Sequence, residues 1–160
     1  MTESLPREAG LVLAEERMRR ALEVARTTPP GDIPVGAVIY APDGRELGWG
    51  TNRREADADP TAHAEMEAIR RAVRTYGDAW RLTDCTLVVT LEPCAMCAGA
   101  MVNARLGHLV YGADDPKAGA SGSVFDITGT SRLNHRVPVT SGVLADQCGR
   151  ILKDFFASRR

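Results

Sequence analysis

What the chain has little of narrows it first. Its 160 residues include only four cysteines, too few for a disulfide framework at this length. Two of them stand at C-x-x-C spacing, which in a reducing compartment reads as metal or redox chemistry. Charge of one sign is not in excess: 20 Lys and Arg face 21 Asp and Glu, a formal net charge of -1. Nothing therefore draws the whole molecule to nucleic acid, and any RNA contact has to rely on a local basic patch. No run approaches the roughly 20 apolar residues of a membrane span. The first eight residues carry acids and no apolar h-region, so no secretory signal is expected and the cytoplasm is the expected compartment. Nucleotide-binding loops are also missing. Gly119-Ala120-Ser121-Gly122-Ser123 fits neither a Walker lysine pattern nor a dinucleotide fingerprint and reads as a loop. There is no internal repeat and no linker.

What remains is ordinary globular material, 44% hydrophobic and 26% charged. The length suffices to bury one core without staples. Residues 1–10 are expected to form a poorly ordered tail, and residues 11–160 a single domain.

Hydrophobic periodicity predicts a helix from Leu11 to about Thr28, with Leu11, Met18, Leu22 and Ala25 inward. Pro29-Pro30-Gly31 ends it. Residues 35–40 read as a buried strand, Pro42-Asp43-Gly44 as a turn, and residues 46–51 as the hairpin partner. After a polar loop, Asn52 to Asp59, a second helix runs to about Tyr76. Asp59 or Thr61 caps it, so His63 falls in its first turn. Ala62, Met66, Ile69, Val73 and Tyr76 form its apolar stripe. Residues 86–91 are a β-branched run suited to the centre of a sheet. Pro93 opens a third helix, rich in small residues. Residues 109–112 make a fourth strand, and residues 137–140 a fifth at an edge, where Pro138 is tolerated. Residues 144–158 form the last helix, with Leu144, Cys148, Ile151, Leu152 and Phe155 on one face. Strands alternating with helices predict a three-layer α/β/α domain.

The residues that carry chemistry gather in two stretches, Thr61-Ala62-His63-Ala64-Glu65 and Leu91-Glu92-Pro93-Cys94-Ala95-Met96-Cys97. Cys94 and Cys97 share a helix face at i and i+3, and a helix N-terminus favours thiolates. With His63 they make a set of three. A structural zinc site is closed by four protein ligands, whereas a catalytic one keeps a position open. Spacing leaves two alternatives open: a redox C-x-x-C, and a closed site completed by Cys85, Cys148 or His108, of which Cys148 better suits a core. Glu65 is the candidate proton carrier, although a regular helix turns i and i+2 to different sides. Arg132, His135, Arg136, Lys153, Arg159 and Arg160 form either a solvated surface or a patch for a phosphate backbone.

His63-Ala64-Glu65 together with Pro93-Cys94-Ala95-Met96-Cys97 resembles the signature of the zinc-dependent cytidine/deoxycytidylate deaminase superfamily. Within it, residues 34–38, 59–65, 89–94, 97–101, 134–137 and 142–146 are similar to the bacterial tRNA adenosine deaminases, and the similarity runs from about Ile33 to Arg160. The resemblance implies a five-stranded mixed sheet between helices, a homodimer and one Zn2+ per subunit. It implies hydrolytic deamination of adenosine to inosine at the wobble position of a tRNA anticodon stem-loop. By position, it makes His63, Cys94 and Cys97 the zinc ligands and Glu65 the proton shuttle. Asn52 and Asp115 become substrate contacts, and the backbone of Ala64 lies against the base. Asp114 and Pro116 depart from the pattern, standing where relatives often have a basic and a small residue. Because the signature is shared, deamination of a free base or nucleotide (cytosine, guanine or deoxycytidylate) is the competing activity. A non-catalytic zinc module comes third.

Overall fold

A computed structural model describes residues 4–159. In chain order the elements are α1 (Ser4–Ala25), β1 (Gly36–Tyr40), β2 (Glu46–Thr51), α2 (Ala64–Tyr76), β3 (Thr86–Leu91), α3 (Ala95–Asn103), β4 (His108–Ala113), β5 (Val139–Thr140) and α4 (Ala145–Ala157). The strands form one five-stranded sheet in the order β2-β1-β3-β4-β5. β1 runs antiparallel to β2 and β3, while β3, β4 and β5 are parallel. This is the mixed sheet that the resemblance implies.

Side chains alternate across a strand, and the two faces build separate cores. Ala37, Ile39, Leu87, Val89, Leu109 and Tyr111 point to the layer of α2 and α3, meeting Ala68, Ala72, Cys97 and Met101. Val38, Tyr40, Val88 and Val110 point the other way, to Met18, Ala21 and Leu22 of α1 and Cys148 of α4. All four middle residues of β3 are buried, as its β-branched run suggests.

The departures from expectation are local. α1 begins at Ser4 rather than Leu11 and takes in most of the stretch expected as a tail; residues 1–3 lie outside the described residues. Proline is tolerated in a first turn, so Pro6 does not stop it, and no other proline follows before Leu11. Burial on the sheet starts around Ala14 and is full at Met18, which leaves Leu11 52% exposed rather than inward.

α2 begins at Ala64, later than either expected cap allows. The Asp59 carboxylate instead accepts from the backbone N–H (2.8 Å) and hydroxyl (2.8 Å) of Thr61, closing a local turn. The buried face of α2 is also not the predicted stripe. Ala64, Glu65, Ala68 and Ala72 are buried, while Met66, Ile69, Val73 and Tyr76 are only partly covered. The reason lies in β2. A Cβ on Gly50 would sit 2.4 Å from the Ala64 carbonyl oxygen, and one on Gly48 2.8 Å from that of Ala68. Backbone lies on backbone there, and only small residues fit between.

Candidate functional site

The N-termini of α2 and α3 meet beyond the C-terminal end of β3, the place where open α/β sheets commonly bind ligands. His63 is the N-cap of α2, with φ -84° and ψ 156°. Its backbone is extended, so the helical angle between i and i+2 does not apply, and His63 and Glu65 face one pocket. Cys94 is the N-cap of α3, with ψ 177°; Pro93 precedes the helix rather than opening it. Cys97 follows in the first turn.

His63 Nδ1 lies 3.5 Å from Cys94 Sγ and 3.6 Å from Cys97 Sγ. A tetrahedral zinc with Zn–S near 2.3 Å and Zn–N near 2.0 Å has S···N edges of about 3.5 Å. The donor set fits that ion in kind and in dimension. Among the described residues no fourth ligand joins the cluster. Cys85 is buried in the α2/α3 core, Cys148 in the other core, and the His108 ring bonds Thr140 at 2.8 Å. The arrangement is therefore that of an open, three-ligand site.

The electrostatics follow from this crowding. The Cys94 thiol is drawn down to about 3, chiefly by a hydrogen bond from Cys97 Sγ, against the effect of burial and with help from His63. Cys97 is pushed up by the same bond and by burial. His63 is raised by its bond to Cys94. Glu65 is 4% exposed, and burial lifts it to about 7, with its own backbone N–H and His63 pulling the other way. A carboxyl poised there can take and return a proton near neutral pH.

These groups open into a cavity of about 270 Å3, at the small end of ligand pockets and suited to one heterocyclic base. Ile33, Val35, Leu91 and Ala118 give it apolar walls, and Asn52, Ala64 and Asp115 also line it. All seven residues singled out from the sequence thus line or abut one pocket. Asn52 Nδ2 donates to the Ile33 carbonyl (3.2 Å), and its Oδ1 accepts from Arg54 N (3.2 Å). Asp115 Oδ1 accepts from Lys117 N (3.1 Å) and Ala118 N (3.2 Å), so one oxygen shapes its own turn.

The basic residues picked from the last third of the chain do not line this pocket. His135 Nε2 bonds the Leu106 carbonyl oxygen at 2.7 Å, a structural role, and Arg160 lies outside the described residues. The cation in the pocket wall is Arg54. Its neighbour Arg53 is engaged by both carboxylate oxygens of Asp57, each at 3.0 Å.

Two buried carboxylates also escaped the sequence reading. Asp32, 3% exposed, accepts from Glu55 N (2.7 Å) and Ala56 N (3.0 Å). Glu92, 2% exposed, accepts from Asp115 N (3.0 Å), Ser121 N (3.1 Å), Ser123 N (3.0 Å) and the Ser123 hydroxyl. Burial raises Glu92, but these bonds outweigh it and hold the carboxyl below its ordinary value. Nothing in the sequence marks either one, because their partners are mainly backbone N–H groups.

Residues 12–113 match the model of the cytidine and deoxycytidylate deaminase zinc-binding region. The chain is 46% identical over 147 residues to the tRNA-specific adenosine deaminase of Haemophilus influenzae, covering 91% of this chain and 84% of that one. It is 48% identical over 149 residues to a tRNA(Ile)-lysidine synthase of Deinococcus deserti, covering 92% of this chain but only 28% of that longer protein. It superposes with a TM-score of 0.79 and 40% identity on a structure from studies of A-to-I editing by tRNA:A34 deaminases at the wobble position. That match covers 84% of this chain and 97% of the other.

Proposed function

The chain belongs to the cytidine and deoxycytidylate deaminase family, and on that footing we propose that it hydrolyses adenosine to inosine at the wobble position of a tRNA anticodon. The observation that carries this reading is the meeting of the His63–Cys94–Cys97 cluster with buried Glu65 in one base-sized pocket. Support for the substrate comes from the two matches to tRNA adenosine deaminases, which span most of both chains.

A zinc ion held by His63, Cys94 and Cys97 supplies Lewis acidity that makes water reactive near neutral pH. Glu65 does the proton work. Its carboxylate takes a proton from the water that attacks C6 of adenine and gives it to N1; it then takes the second proton, from the new C6 hydroxyl, and delivers it to the departing amino group as the C6 carbonyl forms. Adenosine and water become inosine and ammonia. Asn52 holds the edge of the extruded base, the Ala64 backbone lies along it, and Asp115 bounds the strand that enters. Extrusion is required because the reacting atom is otherwise stacked.

The same reading makes the enzyme a cytoplasmic homodimer. α3 leaves Met96, Gly99 and Ala100 partly uncovered, which supports a second copy packing there. No helix among the described residues is long and apolar enough to cross a membrane.

The test is incubation with an anticodon stem-loop bearing a wobble adenosine, alongside free adenosine, cytidine and guanine. Inosine formed only in the RNA is the expected result. Turnover of a free compound alone would overturn the reading in favour of small-molecule deamination.

A further inference from the structure

The loop of residues 114–123 forms one wall of the pocket, through Asp115 and Ala118. Little of it is regular structure. Tyr111 bonds Asp114 (3.0 Å), Thr128 bonds Ser121 (3.0 Å) and Ile127 N bonds the Ala120 carbonyl (2.8 Å), but the side chain with the most bonds to the loop is Glu92. Glu92 leaves β3 and extends its ladder, with its N–H bonding the Ala113 carbonyl at 2.8 Å. Its carboxylate then accepts from the N–H groups of Asp115, Ser121 and Ser123 and from the Ser123 hydroxyl. No salt bridge to Glu92 is formed among the described residues, so loop donors alone compensate a buried charge. Gly119 sits directly on it: a Cβ there would lie 2.4 to 2.5 Å from the carboxylate atoms. Ala120 N adds a bond to the Pro93 carbonyl at 2.8 Å. Glu92 itself also lines the cavity.

We propose that Glu92 is a positioning residue that sets substrate affinity by fixing the 115–123 loop as the pocket wall. This rests on the deaminase reading of the same pocket, but it assigns Glu92 no contact with the reacting atoms. Substrate binds when the loop is seated, and apparent affinity falls with the seated fraction. Loss of the carboxylate unseats the loop without removing a metal ligand or Glu65.

The test compares zinc-loaded wild type with Glu92→Gln, Ser123→Ala and Gly119→Ala. In Glu92→Gln an amide N–H faces backbone donors, so at least one oxygen's bonds are lost. If a tenth of molecules keep the loop seated, KM for the stem-loop rises about tenfold while kcat stays within about threefold. Zinc remains at one per chain. Amide hydrogen exchange speeds at residues 115–123 and not in β3. Ser123→Ala, which keeps the carboxylate, gives a smaller rise in the same direction. Gly119→Ala pushes the loop off and reproduces the larger rise, which also covers the case of Glu92→Gln failing to fold. Unchanged KM and unchanged loop exchange would overturn the proposal. So would a fall in kcat alone, or loss of zinc with normal KM in the loaded fraction. If wild type is inert on RNA but deaminates a free base, the reading of the substrate fails instead, and the same KM comparison is run on that base.

Discussion

His63 Nδ1 and Cys94 Sγ lie 3.5 Å apart across 31 residues of chain, because each is the N-cap of its helix and the two helices begin side by side. A cap has extended backbone and projects its side chain away from the helical stripe. The metal set is thus assembled from the ends of helices, and Glu65 is the helical residue that looks back at it.

Removing a ligand and removing the proton carrier separate cleanly. Cys94→Ser and Cys97→Ala lose zinc and activity together, read by metal analysis of the purified protein. Glu65→Gln keeps one zinc per chain and loses turnover by at least about a hundredfold, in the range for a positioned acid–base group. Normal deamination by Glu65→Gln would sink its assignment.

Gly50 sets how closely α2 lies on β2. Gly50→Ala places a methyl 2.4 Å from the Ala64 carbonyl oxygen, and overpacking of this kind costs about 1–3 kcal/mol. Urea midpoints measure the loss. Zinc affinity falls as well, since the helix that is displaced begins next to His63.

His108 gives the fold a defined acid sensitivity. Burial holds its imidazole below 6.5, and the Arg17 charge adds to this. The unfolded chain therefore binds a proton that the folded chain refuses. The stability that His108 contributes is full above pH 6.5 and falls as pH drops from there through the depressed folded value. His108→Gln removes that slope. Thermal midpoints across pH 5 to 7.5 check it, and an equal slope in the variant would count against it.

Arg54 stands in the pocket wall with a guanidinium whose ion pair is a 3.8 Å contact to Glu55. Arg54→Gln weakens binding of the stem-loop, and the slope of log K against log salt becomes shallower by about 0.7 to 0.9, one phosphate contact. Arg53→Gln, whose parent side chain is tied to Asp57, leaves the slope unchanged. Fluorescence anisotropy at several salt concentrations reads both.

The fold was largely legible because its signals are periodic. The β-branched run of β3, the proline beside the edge strand and the turn before β2 each name their element. The metal residues were legible from spacing and resemblance. What sequence did not carry was direction. Met66, Ile69 and Val73 repeat at helical spacing and look like the core face, yet Gly48 and Gly50 admit only alanines there. Arg132 and Lys153 stand out as basic residues in the sequence, while Arg54, one of two arginines in the eight-residue loop from Asn52 to Asp59, is the cation in the pocket wall. Glu92 and Asp32 were silent because a carboxylate held by backbone N–H groups has no sequence partner to find.

Asp32 and Glu92 each hold a separate loop that contributes to the cavity or adjoins it, residues 55–56 by one and 115–123 by the other. Neither tie passes through the metal ligands. For protein engineering this makes the two rims separately exchangeable parts. A library confined to residues 53–57, or to 116–122 with Gly119 kept, can vary a rim while the hydrolytic centre stays intact, provided each retains the N–H groups its carboxylate grips.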